Sequence, residues 1–193
     1  KIQGSIVSNG YRYTTRPADT EDLDEDDLLQ GGSAVVIAGN VSGGVIFDVP
    51  PVAGDDDDED DTDIDDDGLT DSTEGSASIV TYGSSAAVQV GAADTDTMIG
   101  AVAAGGSGYG LIVNGTIAGY GIYDGVDANG LVIGGLGSNV DIAKGVLVNG
   151  SIGAVSYDSN ATAIRLGSGA RSDTIQIGGV VGASGSSKST FLI

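Results

Sequence analysis

The chain contains no cysteine, no histidine and no tryptophan among its 193 residues. Without cysteine there are no disulfides, thiolate metal sites or thiol nucleophiles, and without histidine there is no imidazole ligand and no His-dependent catalytic relay. Any metal must therefore be held by oxygen. Basic residues number seven against 28 acidic ones, for a formal net charge of −21. Nucleic acid and anionic membrane surfaces would repel such a chain. No apolar run approaches the roughly 18 residues of a membrane-spanning helix, so this segment contains none. Aromatic residues make up 5% of the chain, which leaves an aliphatic core, and three prolines beside 34 glycines exclude both collagen and an average helical globule. The length fits one domain, residues 1–193.

The negative charge is concentrated. Residues 19–27 carry seven acids and residues 55–74 carry thirteen, and the remainder is almost neutral. Two short acidic blocks in a Gly/Ala/Val/Ile background indicate local devices rather than a uniformly acidic surface. The chain opens on Lys1 with no initiator Met and no signal or transit pattern, which reads as a processed or excised piece.

An internal repeat organises the rest. An apolar pair at alternate positions is followed by Gly and another apolar residue in four places: Val35, Ile37, Gly39, Val41; Leu111, Val113, Gly115, Ile117; Val146, Val148, Gly150, Ile152; and Ile175, Ile177, Gly179, Val181. Ile2, Gly4 and Ile6 form the tail of a fifth. Strand side chains alternate faces, so each frame turns three apolar residues inward and puts Gly where the chain bends or a backbone approaches closely. A second run, apolar-x-apolar-Gly, lies between copies at Val88 to Gly91, Leu131 to Gly134 and Ile164 to Gly167. The frames recur 35 residues apart from Val113 to Val148 and 29 apart from Val148 to Ile177. Those periods predict an all-β solenoid of stacked coils, with Val113, Val148 and Ile177 facing one interior. A sandwich or barrel is the competing architecture. Asn114-Gly115 and Asn149-Gly150 carry the two-residue hairpin signal it would need, but both fall inside the repeated frame and read as coil corners.

Two insertions interrupt the repeat. Residues 16–31 have Pro17 at a start, Asp19 and Glu21 in a first turn, Leu23, Leu28 and Leu29, and then Gly31-Gly32, which predicts a short helix with a solvated acidic face. Residues 50–75 begin at Pro50-Pro51 and contain Asp63-Ile-Asp-Asp-Asp-Gly-Leu-Thr-Asp-Ser-Thr-Glu74. Oxygen donors stand at loop positions 1, 3, 5, 9 and 12, with Gly68 at 6, the spacing of an EF-hand-type Ca²⁺ loop. Calcium takes six to eight hard oxygens, Gly permits the sharp turn, and the last acid closes the sphere. The expected ligands are the side chains of Asp63, Asp65, Asp67, Asp71 and Glu74 and the carbonyl of Leu69. Thr70 stands where an EF-hand carries its apolar residue, and amphipathic flanking helices are missing from the pattern. Asp63 to Asp71 instead resembles the calcium-binding type 3 repeats of thrombospondin and their bacterial relatives, whose pattern is Asp-x-Asp-x-Asp-Gly-Leu-x-Asp. The competing reading of the block is a solvated acidic linker.

Other signals carry less. The segment Gly182 to Ser189 is similar to a phosphate-binding loop, but Ser187 replaces the Gly before Lys188 and no room follows for the required helix. Four glycosylation-type sequons, at Asn40, Asn114, Asn149 and Asn160, are expected to be turn chemistry. No set of residues with named catalytic roles can be assembled, so the expectation is a protein that is not an enzyme.

Tyr82-Gly-Ser-Ser-Ala-Ala-Val-Gln-Val-Gly91, Val148-Asn-Gly-Ser-Ile-Gly-Ala154 and Ala161-Thr-Ala-Ile-Arg-Leu-Gly-Ser-Gly-Ala170 resemble the passenger region of bacterial autotransporters over most of the chain. That resemblance implies a right-handed parallel β-helix, exported and displayed at the bacterial cell surface, where passengers commonly serve adhesion, aggregation or biofilm formation. The family's signal peptide and translocator barrel are not in this sequence. The expectation is thus an extracellular, calcium-stabilised β-solenoid with a structural or adhesive role, whose partners are a surface glycan or other cell-surface molecule and further copies of itself. Phe191-Leu-Ile193 carries no polar cap, and Ile2, Gly4 and Ile6 enter in mid-repeat, which extends the expectation to head-to-tail filaments. The alternatives are a carbohydrate-active β-helix enzyme and a calcium-dependent binding module that does not polymerise.

Overall fold

The computed structural model describes residues 1–52, 62–66, 68–103, 106–186 and, as backbone, 188–192. Five turns of chain visit three faces in a fixed order. The first turn supplies β1 (Ser5–Asn9), β2 (Val35–Ile37) and β3 (Val45–Phe47). The second supplies β4 (Ser78–Tyr82), β5 (Ala86–Val90), β6 (Thr97–Ile99) and β7 (Leu111–Val113). The third adds β8 (Thr116–Gly121), β9 (Ala128–Ile133) and β10 (Val140–Val148), and the fourth adds β11 (Ser151–Ser156), β12 (Asn160–Leu166) and β13 (Ala170–Ile177). β14 (Val180–Ser184) and β15 (Lys188–Leu192) begin a fifth. The sheets are β1-β4-β8-β11-β14, β2-β5-β9-β12-β15 and β3-β7-β10-β13, with β6 pairing the first half of β10. Every pairing between these strands is parallel. The architecture is solenoid-like, and the hairpin reading of the Asn-Gly pairs does not hold.

Aliphatic residues stack in register across the coils. One ladder runs Ile2, Phe47, Val113, Val148, Ile177 and its neighbour runs Val45, Leu111, Val146, Ile175. The β1 sheet contributes Ile6, Ile79, Ile117, Ile152 and Val181, and the β2 sheet Val35, Val88, Leu131 and Ile164. The middle rungs form a single core, with Val113 and Val148 wholly buried. Ile177 is in register as expected but 45% exposed, because β13 pairs only with β10 and no described strand covers its other side. Each fully buried aliphatic side chain is worth about 1.5–3 kcal/mol, so stacking of rungs is the main source of stability.

The repeated frames do not all occupy one corner. Those at Leu111, Val146 and Ile175 turn from the β3 sheet into the β1 sheet, whereas Val35 and Ile37 lie in β2 and Val41 bridges to Ile99. Any corner between two half-buried strands asks for the same apolar-Gly-apolar pattern, so the pattern alone does not say which face it serves. At the equivalent corner, the amides of Asn114 and Gly115 both donate to the Phe47 carbonyl, at 2.8 and 3.1 Å, and those of Asn149 and Gly150 both donate to Val113, each at 2.9 Å. A Cβ at Gly115, Gly150 or Gly179 would collide with the carbonyl oxygen of Ala77, Gly115 or Gly150 in the turn below. Glycine is required there by the close approach of successive turns. Alongside runs a side-chain ladder in which Asn149 Nδ2 donates to Asn114 Oδ1 at 2.9 Å and Asn114 Nδ2 donates to Asp48 Oδ1 at 2.7 Å. Asn40, a third sequon position, accepts the Met98 amide at 2.8 Å.

The first insertion is not the expected helix. Residues 16–31 hold a single 3-10 turn, Glu25–Leu28. A helix this short needs an apolar face packed on the body of the protein, and Leu28 and Leu29 remain 40% and 58% exposed. The insertion is held by hydrogen bonds, with the Gly31 amide donating to Tyr82 O and Gln30 accepting the Ser84 amide, each at 2.8 Å, and by aromatic contacts. Tyr11 meets Tyr123 edge-on at 4.8 Å with Leu23 packed beside them, and Arg16 lies 3.9 Å over the Tyr157 ring while pairing with Asp124 at 2.9 Å.

Two carboxylates at other corners join successive turns. Asp127 accepts from the Ser159 hydroxyl at 2.6 Å and from the Asn160 amide at 3.1 Å, and Asp96 accepts from the Asn139 amide at 2.8 Å. The Ser159 hydroxyl, the largest influence, holds the Asp127 carboxyl below its ordinary value against an opposing effect of burial, and the Asn139 backbone does the same for Asp96. A carboxyl depressed in the folded state stabilises the fold above its unfolded value near 3.9, and that contribution disappears as pH falls through the folded value. Acid titration of unfolding free energy should therefore show a loss beginning below about pH 4 that is shallower in Asp127→Asn; identical slopes would exclude the carboxylate as a contributor. Gly150→Ala should lower stability by about 1–3 kcal/mol through the backbone clash. Gly182→Ala, where a Cβ meets nothing within 4 Å, should stay within about 0.5 kcal/mol of wild type in the same denaturant titration.

Candidate metal centre

The acidic insertion hangs on the corner that elsewhere carries Asn-Gly. Its two ends are closed by the backbone: the Ala77 amide donates to Asp48 O at 2.7 Å, and the Gly4 amide donates to Gly75 O at 2.8 Å. A loop with pinned ends can vary in length without disturbing the rungs on either side, because closure entropy grows only slowly with length.

Within it the chain folds back on itself. The Asp71 amide donates to Thr62 O at 2.9 Å, and the Ile64 amide returns a bond to the Asp71 carboxylate at 3.3 Å. The Asp66 amide closes a turn on Asp63 O at 3.1 Å, with Asp66 itself at φ 54°. Gly68 follows at φ 90° and its amide donates to Asp63 Oδ2 at 3.0 Å. A Cβ at Gly68 would meet nothing, so it is the left-handed backbone that asks for glycine here. A 3-10 turn, Asp71–Thr73, then brings Glu74 round, with its amide donating to Asp71 O at 3.2 Å.

This folding gathers three of the expected ligands. Carboxylate oxygens of Asp63, Asp65 and Asp71 all lie within 4.8 Å of one another. Oxygens that share one Ca²⁺ at 2.3–2.6 Å cannot be more than about 5 Å apart, so the spacing suits a single ion. Three carboxylates this close repel one another unless a cation lies among them. The donor set is all oxygen, which suits a hard divalent cation over a transition metal. Asp67 lies outside the described residues. Leu69, expected to offer its carbonyl, is 56% exposed. Glu74 is not part of the triplet; its side chain is fully buried, with Oε1 3.5 Å from Lys1 Nζ. Lys1 Nζ also contacts Asp65 Oδ2. That cation is invisible along the chain, because Lys1 is 64 residues from Asp65 and only the winding of the first turn brings it there.

Beside the loop runs an open groove of ≈ 630 Å³. Its floor includes the outward faces of Ile46, Ile112 and Leu147, its wall includes the Asp48, Asn114, Asn149 ladder, and Asp65 stands at its edge. No protein-family model, curated protein or solved structure matches the chain.

Proposed function

We propose that the chain is a right-handed, calcium-stabilised β-solenoid that serves a structural or adhesive role outside the bacterial cell. The observation that carries the calcium reading is the convergence of Asp63, Asp65 and Asp71 on one loop, in a sequence without thiol or imidazole donors. Asp67, Leu69 and Glu74 complete the proposed set of ligands. Extracellular modules bind Ca²⁺ with dissociation constants of about 10⁻⁴–10⁻³ M, weak enough that a surface site fills only where the ion is abundant. Right-handedness follows the strong general preference of parallel strand crossovers. The adhesive role is supported by the likeness to autotransporter passengers, and by a fold that stacks its largest apolar cluster in one interior while carrying a regular amide ladder on an outer corner.

Calorimetry with calcium chloride should show binding to the wild-type chain and at least about tenfold weaker binding after Asp65→Ala with Asp71→Ala, since each loses a charged ligand. Proteolysis between residues 62 and 75 should quicken in chelator. Absence of calcium heat together with unchanged proteolysis would overturn the calcium reading. Cells of a non-adherent bacterium displaying the chain should clump or attach more in calcium than in chelator; settling equal to that of undecorated cells in both conditions would overturn the adhesive role.

A further inference from the structure

Lys1 supplies the acidic loop with a cation of the protein's own. Its backbone neighbours are fixed on the first turn: the Ile2 amide donates to Ile46 O and Ile2 O accepts from the Asp48 amide, each at 2.8 Å. Gly4 is bonded in turn to Gly75 and Ser78, at 2.8 and 2.9 Å. From this anchorage the side chain reaches the loop, where Nζ contacts Asp65 and stands 3.5 Å from Glu74 Oε1. Asp65 belongs to the converging triplet, and Glu74 is the acid at the twelfth position of the loop.

Glu74 provides a separate indication that the position is built for more than an ammonium group. Its side chain has no exposure, and its second oxygen, Oε2, is buried with no hydrogen-bond partner among the described residues. A buried carboxylate oxygen without a donor is costly. One ammonium group at 3.5 Å from the other oxygen leaves that cost standing, whereas a divalent ion taking Glu74 in bidentate fashion would satisfy both oxygens.

We propose that the Lys1 ammonium is a tethered competitor for the calcium site, neutralising Asp65 and Glu74 when calcium is absent and leaving them when it binds. The proposal rests on the calcium reading above. A monovalent and a divalent cation cannot share the same two carboxylates at a few ångströms without strong repulsion. Tethering gives the ammonium a high effective concentration at the loop, yet it offers only donor hydrogens where the ion offers several short bonds to oxygen. The calcium affinity of the loop is therefore set partly by a residue outside it, and by reciprocity calcium loosens the hold of the loop on Lys1.

Calcium chloride titration by calorimetry on the full 193-residue chain, on Lys1→Met and on Lys1→Arg tests this. Removing a partly exposed ion pair should tighten calcium binding by about two- to fivefold in Lys1→Met, while Lys1→Arg, which keeps the charge, should stay near wild type. In chelator, Lys1→Met should be cleaved faster between residues 62 and 75, because its carboxylates have lost their counterion. Heat with equal or weaker affinity in Lys1→Met would overturn the competition and leave the calcium site standing. No heat in any of the three proteins would overturn the calcium site and the competition with it.

Discussion

Everything in this molecule depends on the parallel, in-register stacking of one turn on the next. A residue inside a coil of this kind touches its counterparts one rung above and one below, about 4.8 Å away, so the identity of each interior position is tied to the same position in neighbouring turns. The ladder of Phe47, Val113 and Val148 and that of Ile79, Ile117 and Ile152 show the result: aliphatic on aliphatic, fully enclosed, with no aromatic layer needed beyond Phe47. The constraint also acts at the corners. Where turns approach most closely, the carbonyl of the turn below fills the space a side chain would take, and Gly115, Gly150 and Gly179 stack as a consequence.

Stacking leaves the edges of each turn free to differ. A coil can carry a long excursion at a corner provided that the strands on either side return to register, and both acidic blocks lie in such excursions. This places the charge where it does least harm to the core. The first excursion uses tyrosine and arginine contacts to settle against a corner formed by later turns. The second folds on itself through Asp71, Thr62, Asp63 and Gly68, and turns the mutual repulsion of its carboxylates into a demand for a cation.

Lys1 and the groove illustrate how the two levels meet. Asp65 faces the carboxylate cluster, the Lys1 ammonium and the edge of a groove whose wall is the amide ladder of the repeat. Any cation held by the loop would therefore lie next to the amide ladder of the repeat. The connection is one of adjacency through shared residues, and it arises because the insertion replaces an Asn-Gly corner directly beneath Asn114.

The sequence by itself determined the class of fold and the all-oxygen donor set of the loop. Period-two apolar runs separated by Gly specify half-buried strands, and recurrence near 30 residues specifies stacked turns. The convergence of Asp63, Asp65 and Asp71 around Gly68 was equally legible, because carboxylate spacing in a tight loop is a local property. Tertiary structure alone decided the rest. Which face each frame serves depends on how many residues the preceding corner consumes, so Val35 to Val41 reads like the other copies and lies elsewhere. Residues 16–31 carry helix start and stop signals, yet short helices are decided by packing, and Leu28 and Leu29 stay exposed rather than joining the core. The meeting of Lys1 with Asp65 and Glu74 is invisible along the chain for the same physical reason: a contact across 64 or 73 residues exists only after winding has fixed where the first turn ends.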